Sequence, residues 1–552
     1  MKKILNWNFF TYLFFIIYFI IGLSIYKDFG VGIEEHFQRQ NGFYWLNHFF
    51  SNSNFENLKS IIDLKYKEIL ELNADLPPAD YYNYYGVVFD LPLAFIETIF
   101  NLSSSKVYFE IRHIFIFTIF FISSIYFYKI LANRFNNNLV IFLGLFLYIS
   151  SPRIFGDSFH NNKDILFLSI LTISISYLFD LFKTYNIRNL LLFCFFCSLA
   201  TASRIMGIYL PFILILFYFF DFLLQKISFK KLILITSKII IIFYLFLLLN
   251  YPYAWQLDIL NITNWFGKFF YSMDIEVLFN GEYYMIDYLP RSYLPIWILI
   301  STPIIISVFF LIGFSKISST IYKRLINIDE KKVNKKGDLW NSIHEKKDLL
   351  VYVSFFIFLV YAIFFNVSML SGWRHFYFLH IFIIYISVVG MSNIFKYLKS
   401  LSQRTNYIFA SLIIMSSLHT NFKLHPFQSL YFISILNADV VQKFQVDTPN
   451  LSRSHALKWI LQHEKNKTKK IYVSNASWTP MHNGKDMLNN VDQKRLVFVG
   501  QEYNQADYIY TNYVNKSDEK YNKNYKIPSN FKKIQDFKKG NILIYSIYSK
   551  SN

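Results

Sequence analysis

Two adjacent carboxylates, Glu34 and Glu35, follow the first long apolar run, in the stretch Gly32-Ile33-Glu34-Glu35-His36. Like charges side by side disfavour ionisation of both, which tends to raise one pKa. An acid pair in that position offers a base for chemistry at a membrane surface. The same residues also read as a solvated first helical turn, with Glu35 and Arg39 forming an i,i+4 pair. Other charged residues fall at comparable places. Arg153, Asp157, His160, Lys163 and Asp164 share one short segment between apolar runs, and Arg374 and His375 share another. Arg204 follows the small residues Ala200-Thr201-Ala202-Ser203. A guanidinium matches phosphate geometry, so Arg204 is a candidate anion ligand. Basic side chains at helix ends also snorkel, which is the plainer account of Lys163.

The elements that must position these residues are membrane helices. Of 552 residues, 54% are hydrophobic, 21% aromatic and only 16% charged, against roughly 25% charged in soluble domains. Apolar runs of about 20 residues, the length that spans a hydrocarbon core, recur along the chain. The first, 8–26, has no small-residue cleavage site and reads as a retained anchor. Further spans are expected at 112–129, 139–152, 164–182, 189–203, 206–224, 232–250, 294–314, 348–367, 376–395 and 407–420, eleven in all, the third of them short. The formal charge of +19 is gathered in alternate loops, most densely at 315–347. With the amino terminus inside, each of these loops is cytoplasmic, so the charge reports orientation and not a nucleic-acid partner. Cys194 and Cys197 lie within an apolar span with no His or charge beside them, and read as buried small hydrophobes.

The expected fold is therefore an all-α polytopic membrane protein, residues 1–420, with a small α/β exterior domain at 421–552. A long first exterior loop, 27–111, contains an amphipathic helix at 55–72, broken by Asp75-Leu76-Pro77-Pro78-Ala79-Asp80. Beyond Thr420 the apolar runs shorten. A helix near Ser454–His463 and strands at 471–473, 496–499, 508–510 and 542–545 are expected. Asn280-Gly281 signals a turn, followed by Glu282, Tyr283 and Tyr284 as polar and aromatic contacts for a ligand, or as a solvated carboxylate and an interfacial aromatic belt.

The order of these features resembles the GT-C superfamily of integral-membrane glycosyltransferases, in the branch with protein O-mannosyltransferases and the aminoarabinose transferases. Those proteins carry an acidic pair and an interfacial helix in the first exterior loop, and a small-residue turn with a basic residue between the fifth and sixth spans. Glu34-Glu35, the 55–72 helix and Arg204 stand at those places. The stretches 151–164, 281–284, 372–377 and 425–432 are similar to bacterial members, and the resemblance runs from about 20 to 435. It implies inverting transfer of a sugar from a polyprenyl-phosphate donor to an acceptor hydroxyl on a lipid, glycan or protein, at the periplasmic face of a bacterial inner membrane. Glu34 or Glu35 is then the catalytic base. Arg204, Lys163, Arg153, His375 and Arg374 bind the donor phosphate, and Arg39, Asp164, His160, Glu282, Tyr283 and Tyr284 contact substrate. No cofactor is required on this reading; a divalent cation near Glu34, Asp157 and Asp164 is the alternative. Glu34 replaces the family's usual Asp, an added methylene that moves the carboxylate by roughly one ångström, a displacement that can matter to a reaction. The rival functions are a membrane transporter, which usually shows internal repeats not seen here, and an envelope glycan polymerase or ligase.

Overall fold

The structure, a computed structural model, describes residues 2–51, 53–72, 84, 86–256, 275–326, 339–365, 367–433, 440–514 and 523–550. The expected break at 75–80 lies outside the described residues, as do parts of the expected loops 251–293 and 315–347. Among the described residues eight helices are long and apolar enough to cross a membrane. They are α1 (Lys2–Ile25), α5 (Ser105–Ala132), α8 (Asp164–Lys183), α10 (Tyr209–Leu223, with its leading turn Ile205–Ile208), α11 (Phe229–Asn250), and the helices Ile304–Ile326, Ile343–Phe364 and Leu379–Leu401. This is the architecture of a multi-pass membrane protein.

Four of the expected spans are not single long apolar helices. The helix α6 (Asn138–Ser150) has 13 residues, roughly 20 Å of rise against a core of about 30 Å. Ser151 is extended and Pro152 opens a separate short helix, α7 (Pro152–Asp157). Helix α9 (Ile187–Ser203) is apolar but also short. The expected span 294–314 is two helices: Tyr293–Ser301, then Ile304–Ile326. Pro303 lacks the N–H that would continue the first helix and suits the start of the second. The spanning segment therefore reaches some twelve residues into what composition marks as a basic loop. The last expected span is the helix Gln403–Leu424, whose polar residues keep it out of the eight.

Glycines set the tightest crossing in the bundle. A Cβ on Gly313 would meet the Ile386 carbonyl oxygen at 1.9 Å, and one on Gly390 the Phe309 carbonyl oxygen at 2.1 Å. Only glycine lets the helices Ile304–Ile326 and Leu379–Leu401 approach this closely. Cys194 and Cys197 are buried, free thiols in α9.

On one end of the bundle, α2 (Ile33–Phe50), α3 (Glu56–Leu72) and α4 (Asp90–Ile99) form a small layer. The apolar face of α3 is buried as Ile62 and Ile69 against Phe43 and Leu46 of α2 and Ala94 of α4. The same end carries the sheet domain. Its five strands, in the order β4-β3-β5-β7-β6, are β3 (Ile471–Asn475), β4 (Leu496–Phe498), β5 (Tyr508–Thr511), β6 (Phe531–Lys539) and β7 (Ile542–Lys550), and the helix Ser452–His463 precedes them. The pairings β3–β4 and β3–β5 are parallel; β5–β7 and β7–β6 are antiparallel. β6 is the one strand of the sheet that composition hid. Its sequence, FKKIQDFKK, keeps Lys on an edge, the usual guard against strand addition.

Candidate functional site: a charged cleft at one end of the bundle

The N-terminus of α2 is built around the two adjacent glutamates, and they face different ways. Gly32 is the N-cap, and its N–H donates to the Glu35 Oε1 at 2.8 Å in a capping box. Glu35 is 2% exposed, and His113 Nε2 lies 3.2 Å from its Oε2. The Glu34 side chain instead turns outward and ion-pairs with Arg374, while remaining 36% exposed. Neighbouring carboxylates on a helix turn point about 100° apart, and here that separates an accessible acid from a fastening one.

Glu34 opens into a narrow cleft whose lining includes Gln38, Arg153, Asp157, His160, Asn162 and Arg374. Burial pushes the Glu34 carboxyl up, but Arg374, Lys163 and Arg204 outweigh that and hold it below the ordinary glutamate value. The expectation that the acid pair raises a pKa is thus corrected for Glu34: three cations, and not Glu35, dominate its surroundings. Lys163 and Arg204 need not touch Glu34 to act at this range in a partly buried site. Burial, Arg204 and Arg374 in turn press the Lys163 ammonium well below its usual range, with Glu34 and Asp90 opposing.

Arg204 owes its place to the chain reversal after α9. Its backbone is extended, its N–H donates to the Ala200 carbonyl at 2.9 Å, and the Ile205–Ile208 turn follows. A Cβ on Gly207 would sit 2.5 Å from the Thr201 nitrogen, so only glycine closes this reversal. The Arg204 guanidinium is ion-paired with Asp164. Asp164 also accepts from Asn161 Nδ2 at 3.0 Å. Asp164, expected to contact substrate, is therefore occupied as the carboxylate that orients Arg204.

The remaining expected residues divide by position. Arg153 lines the cleft, donates from Nη2 to the Tyr431 carbonyl at 3.0 Å, and lies over the rings of Trp297 and Phe432 at 5.5 and 5.3 Å. His160 lines it too, with Nε2 3.0 Å from Ser429 Oγ and 3.1 Å from Asp157 Oδ1. The buried Asp157 is held below its ordinary value: burial opposes this, but hydrogen bonds from His160, Ser429 and Tyr377 and the charge of His160 prevail. His375 sits in the same electrostatic cluster, and burial plus Arg204, Arg374 and Lys163 drive its pKa well below normal. That shift disfavours the imidazolium form. Its Nδ1 lies 3.4 Å from the Ser368 carbonyl oxygen.

Four expected substrate contacts are elsewhere. Arg39 makes a two-pronged ion pair with Glu97, at 3.0 and 2.5 Å, and stacks 3.9 Å over Tyr108. It therefore fastens α2 to α4, and the expected pair with Glu35 does not form. Glu282, Tyr283 and Tyr284 lie on a hairpin, β1 (Glu276–Phe279) with β2 (Glu282–Met285), outside the cleft lining. Asn280 and Gly281 take positive φ at its turn, as Asn-Gly predicts. Exposed Glu282 accepts from the Tyr284 hydroxyl. Among the described residues no group of three or more His, Cys, Asp or Glu gathers as a metal site. Glu34, Asp157 and Asp164, the set weighed for a divalent ion, face Arg374, His160 and Arg204 respectively.

Sequence reasoning missed the wall supplied from the far end of the chain. Thr448 and Pro449 line the cleft, and the Ile33 N–H donates to the Pro449 carbonyl at 3.2 Å. Asp447 holds this strap by accepting from the Leu451 and Ser452 amides at 2.9 and 3.1 Å. Fully buried Arg453 ties it down, donating to the carbonyls of Asn450, Pro480 and Val31. His36 adds a 2.7 Å contact to Asp486 of the same domain. His113, also missed, had a signal: Arg112 and His113 are polar residues at the edge of an expected span, which need partners. They have them, in Asp90 at 2.8 Å and in Glu35.

No protein-family model matches the chain, and no curated protein sequence matches it. Several solved structures are distantly similar in layout. The apo oligosaccharyltransferase of Archaeoglobus fulgidus aligns with a TM-score of 0.45 at 12% identity over 77% of this chain and 57% of that one. The oligosaccharyltransferase AglB from the same organism, solved with an inhibitory peptide and a dolichol-phosphate, gives 0.43 at 13% identity over 78% and 61%. This chain thus spans about three fifths of the length of those two. ArnT from Cupriavidus metallidurans, solved bound to undecaprenyl phosphate, gives 0.44 at 9% identity, with 97% of each chain covered.

Proposed function

We propose that this protein is a GT-C-type glycosyltransferase that moves a sugar from a polyprenyl-phosphate donor to an acceptor hydroxyl, at the exterior face of a bacterial inner membrane. The observation that carries this reading is the Glu34 carboxylate, over a third exposed at an open cleft, ion-paired with Arg374 and within the electrostatic reach of Lys163 and Arg204. A carboxylate held ionised beside a set of cations suits a displacement in which a proton must leave one oxygen and negative charge must grow on another.

In that reaction the acceptor oxygen attacks the anomeric carbon as the bond from that carbon to the phosphate oxygen breaks, with inversion. Glu34 takes the hydroxyl proton. The electron pair of the broken bond stays on the polyprenyl phosphate, and Arg374, Arg204 and Lys163 compensate the charge it gains. Arg374 shifts from Glu34 to the phosphate as substrate enters, freeing the base. Glu35 and His113 hold the helix terminus and position Glu34 without touching substrate. Protein cations supply the charge in this scheme, so it calls for no cofactor. The sheet domain stands on the exterior side, where Thr448 and Pro449 form the wall nearest the acceptor.

The test is turnover of a labelled polyprenyl-phosphate sugar by purified protein in lipid. Glu34→Gln should lose transfer, and Arg204→Ala should lose donor turnover. Wild-type activity in Glu34→Gln would discard the base, and solute uptake into vesicles without consumption of the sugar-lipid would favour a transporter.

A further inference from the structure

The second cavity lies at the opposite end of the bundle from the cleft. Past the Gly313/Gly390 crossing the helices Ile304–Ile326 and Leu379–Leu401 border, with the chain just beyond α5 and the start of Ile343–Phe364, an open cavity of about 320 Å³. Its walls are of two kinds. Ile317, Ile321, Leu349 and Val389 make an apolar side, while Lys316, Lys396, Arg134 and Arg324 bring four cations to it.

Among the described residues, the two carboxylates lining the cavity, Glu345 and Asp348, are already spent. Arg324 grips Glu345 at 3.2 and 2.9 Å, and Arg134 grips Asp348 at 2.8 and 2.7 Å, with Tyr385 donating to Asp348 at 2.7 Å. Each arginine thus cancels one acid. The exposed ammonium groups of Lys316 and Lys396 remain as net charge on the two helices that border the cavity, and Ser392 and Asn393 add neutral polar groups. A cavity between apolar helices with surplus cations at its rim is how membrane proteins hold acidic lipid headgroups. A small inorganic anion would have no use for the apolar wall.

From this we infer that the cavity is a binding site for an anionic phospholipid, its phosphate between Lys316 and Lys396 and its acyl chains along the apolar wall. The site is separate from the cleft and does not depend on the proposed reaction. The experiment is native mass spectrometry of the full chain released from nanodiscs of phosphatidylglycerol or of phosphatidylcholine. Wild type should retain phosphatidylglycerol selectively. The Lys316→Ala/Lys396→Ala double variant should bind it roughly thirtyfold more weakly, at the usual contribution of a basic residue near an acidic lipid. Lys230→Ala/Lys231→Ala serves as a control for surface charge elsewhere, and should bind as wild type. Equal retention of the two lipids, no loss in the Lys316/Lys396 variant, or an equal loss in the control would overturn the site. Displacement of the lipid by millimolar inorganic phosphate would overturn the lipid assignment in favour of a soluble phosphate ligand.

Discussion

Ion pairs of two kinds lie on or beside α2 and differ in one respect. Behind the cleft, Arg39–Glu97 and Arg112–Asp90 are closed: the side chains of Arg39 and Glu97 are 10% and 3% exposed, and those of Arg112 and Asp90 are 2% and 12%. At the cleft, Glu34–Arg374 leaves its carboxylate open to a ligand. The same residue types therefore serve architecture in one place and are available for chemistry in the other. Residue type does not separate the two uses; vacant space beside the pair does.

The difference can be broken first at the base. Glu34→Gln should lower transfer by roughly 10²–10⁴-fold, with the thermal midpoint nearly unchanged, as measured by turnover and by thermal unfolding in detergent. Arg39→Ala should do the converse, destabilising the protein by roughly 3–5 kcal/mol because Glu97 is left buried and unpaired. Its signature is a fall in thermal midpoint, with activity per folded molecule largely kept. If Arg39→Ala left stability intact and removed activity, the division between the groups would be lost.

The pH profile sharpens the same point. The Glu34 pKa is depressed in the folded protein, so the ionised carboxylate is present above the ordinary value of 4.5 and is lost only as pH falls through the lower folded value. The acid limb of the kcat/KM profile, which reports the free enzyme, should accordingly lie below 4.5 in wild type. In Arg374→Ala the largest lowering influence is gone while burial stays, so that limb should move upward. The smallest effect is expected from Glu282→Gln and Tyr284→Phe, which should change turnover by less than about twofold, since surface substitutions away from special features rarely matter.

Much of the membrane part was legible because lipid imposes a length and an apolar composition on anything that crosses it. Its clearest departure sits where a proline intervenes, at Pro303. The cleft was legible only as a set of charged residues sharing one level. Which acid meets which base was not, since Glu34 and Arg374 are 340 residues apart and Glu34 stands next to a carboxylate with a different task. Local spacing pairs Glu35 with Arg39, yet tertiary contacts with His113 and Glu97 take both. The hairpin residues Glu282 to Tyr284 carry suitable chemistry, and nothing in their local pattern tells that the fold leaves them outside the cleft.

The strap through Pro449 has a consequence for how the molecule comes into being. Glu34 is synthesised more than four hundred residues ahead of the segment that seats its helix and walls its cleft. A nascent chain would therefore carry its acid without a finished chamber throughout insertion. Competence would arrive late, when the docking of Arg453 against Val31 brings these two distant segments together.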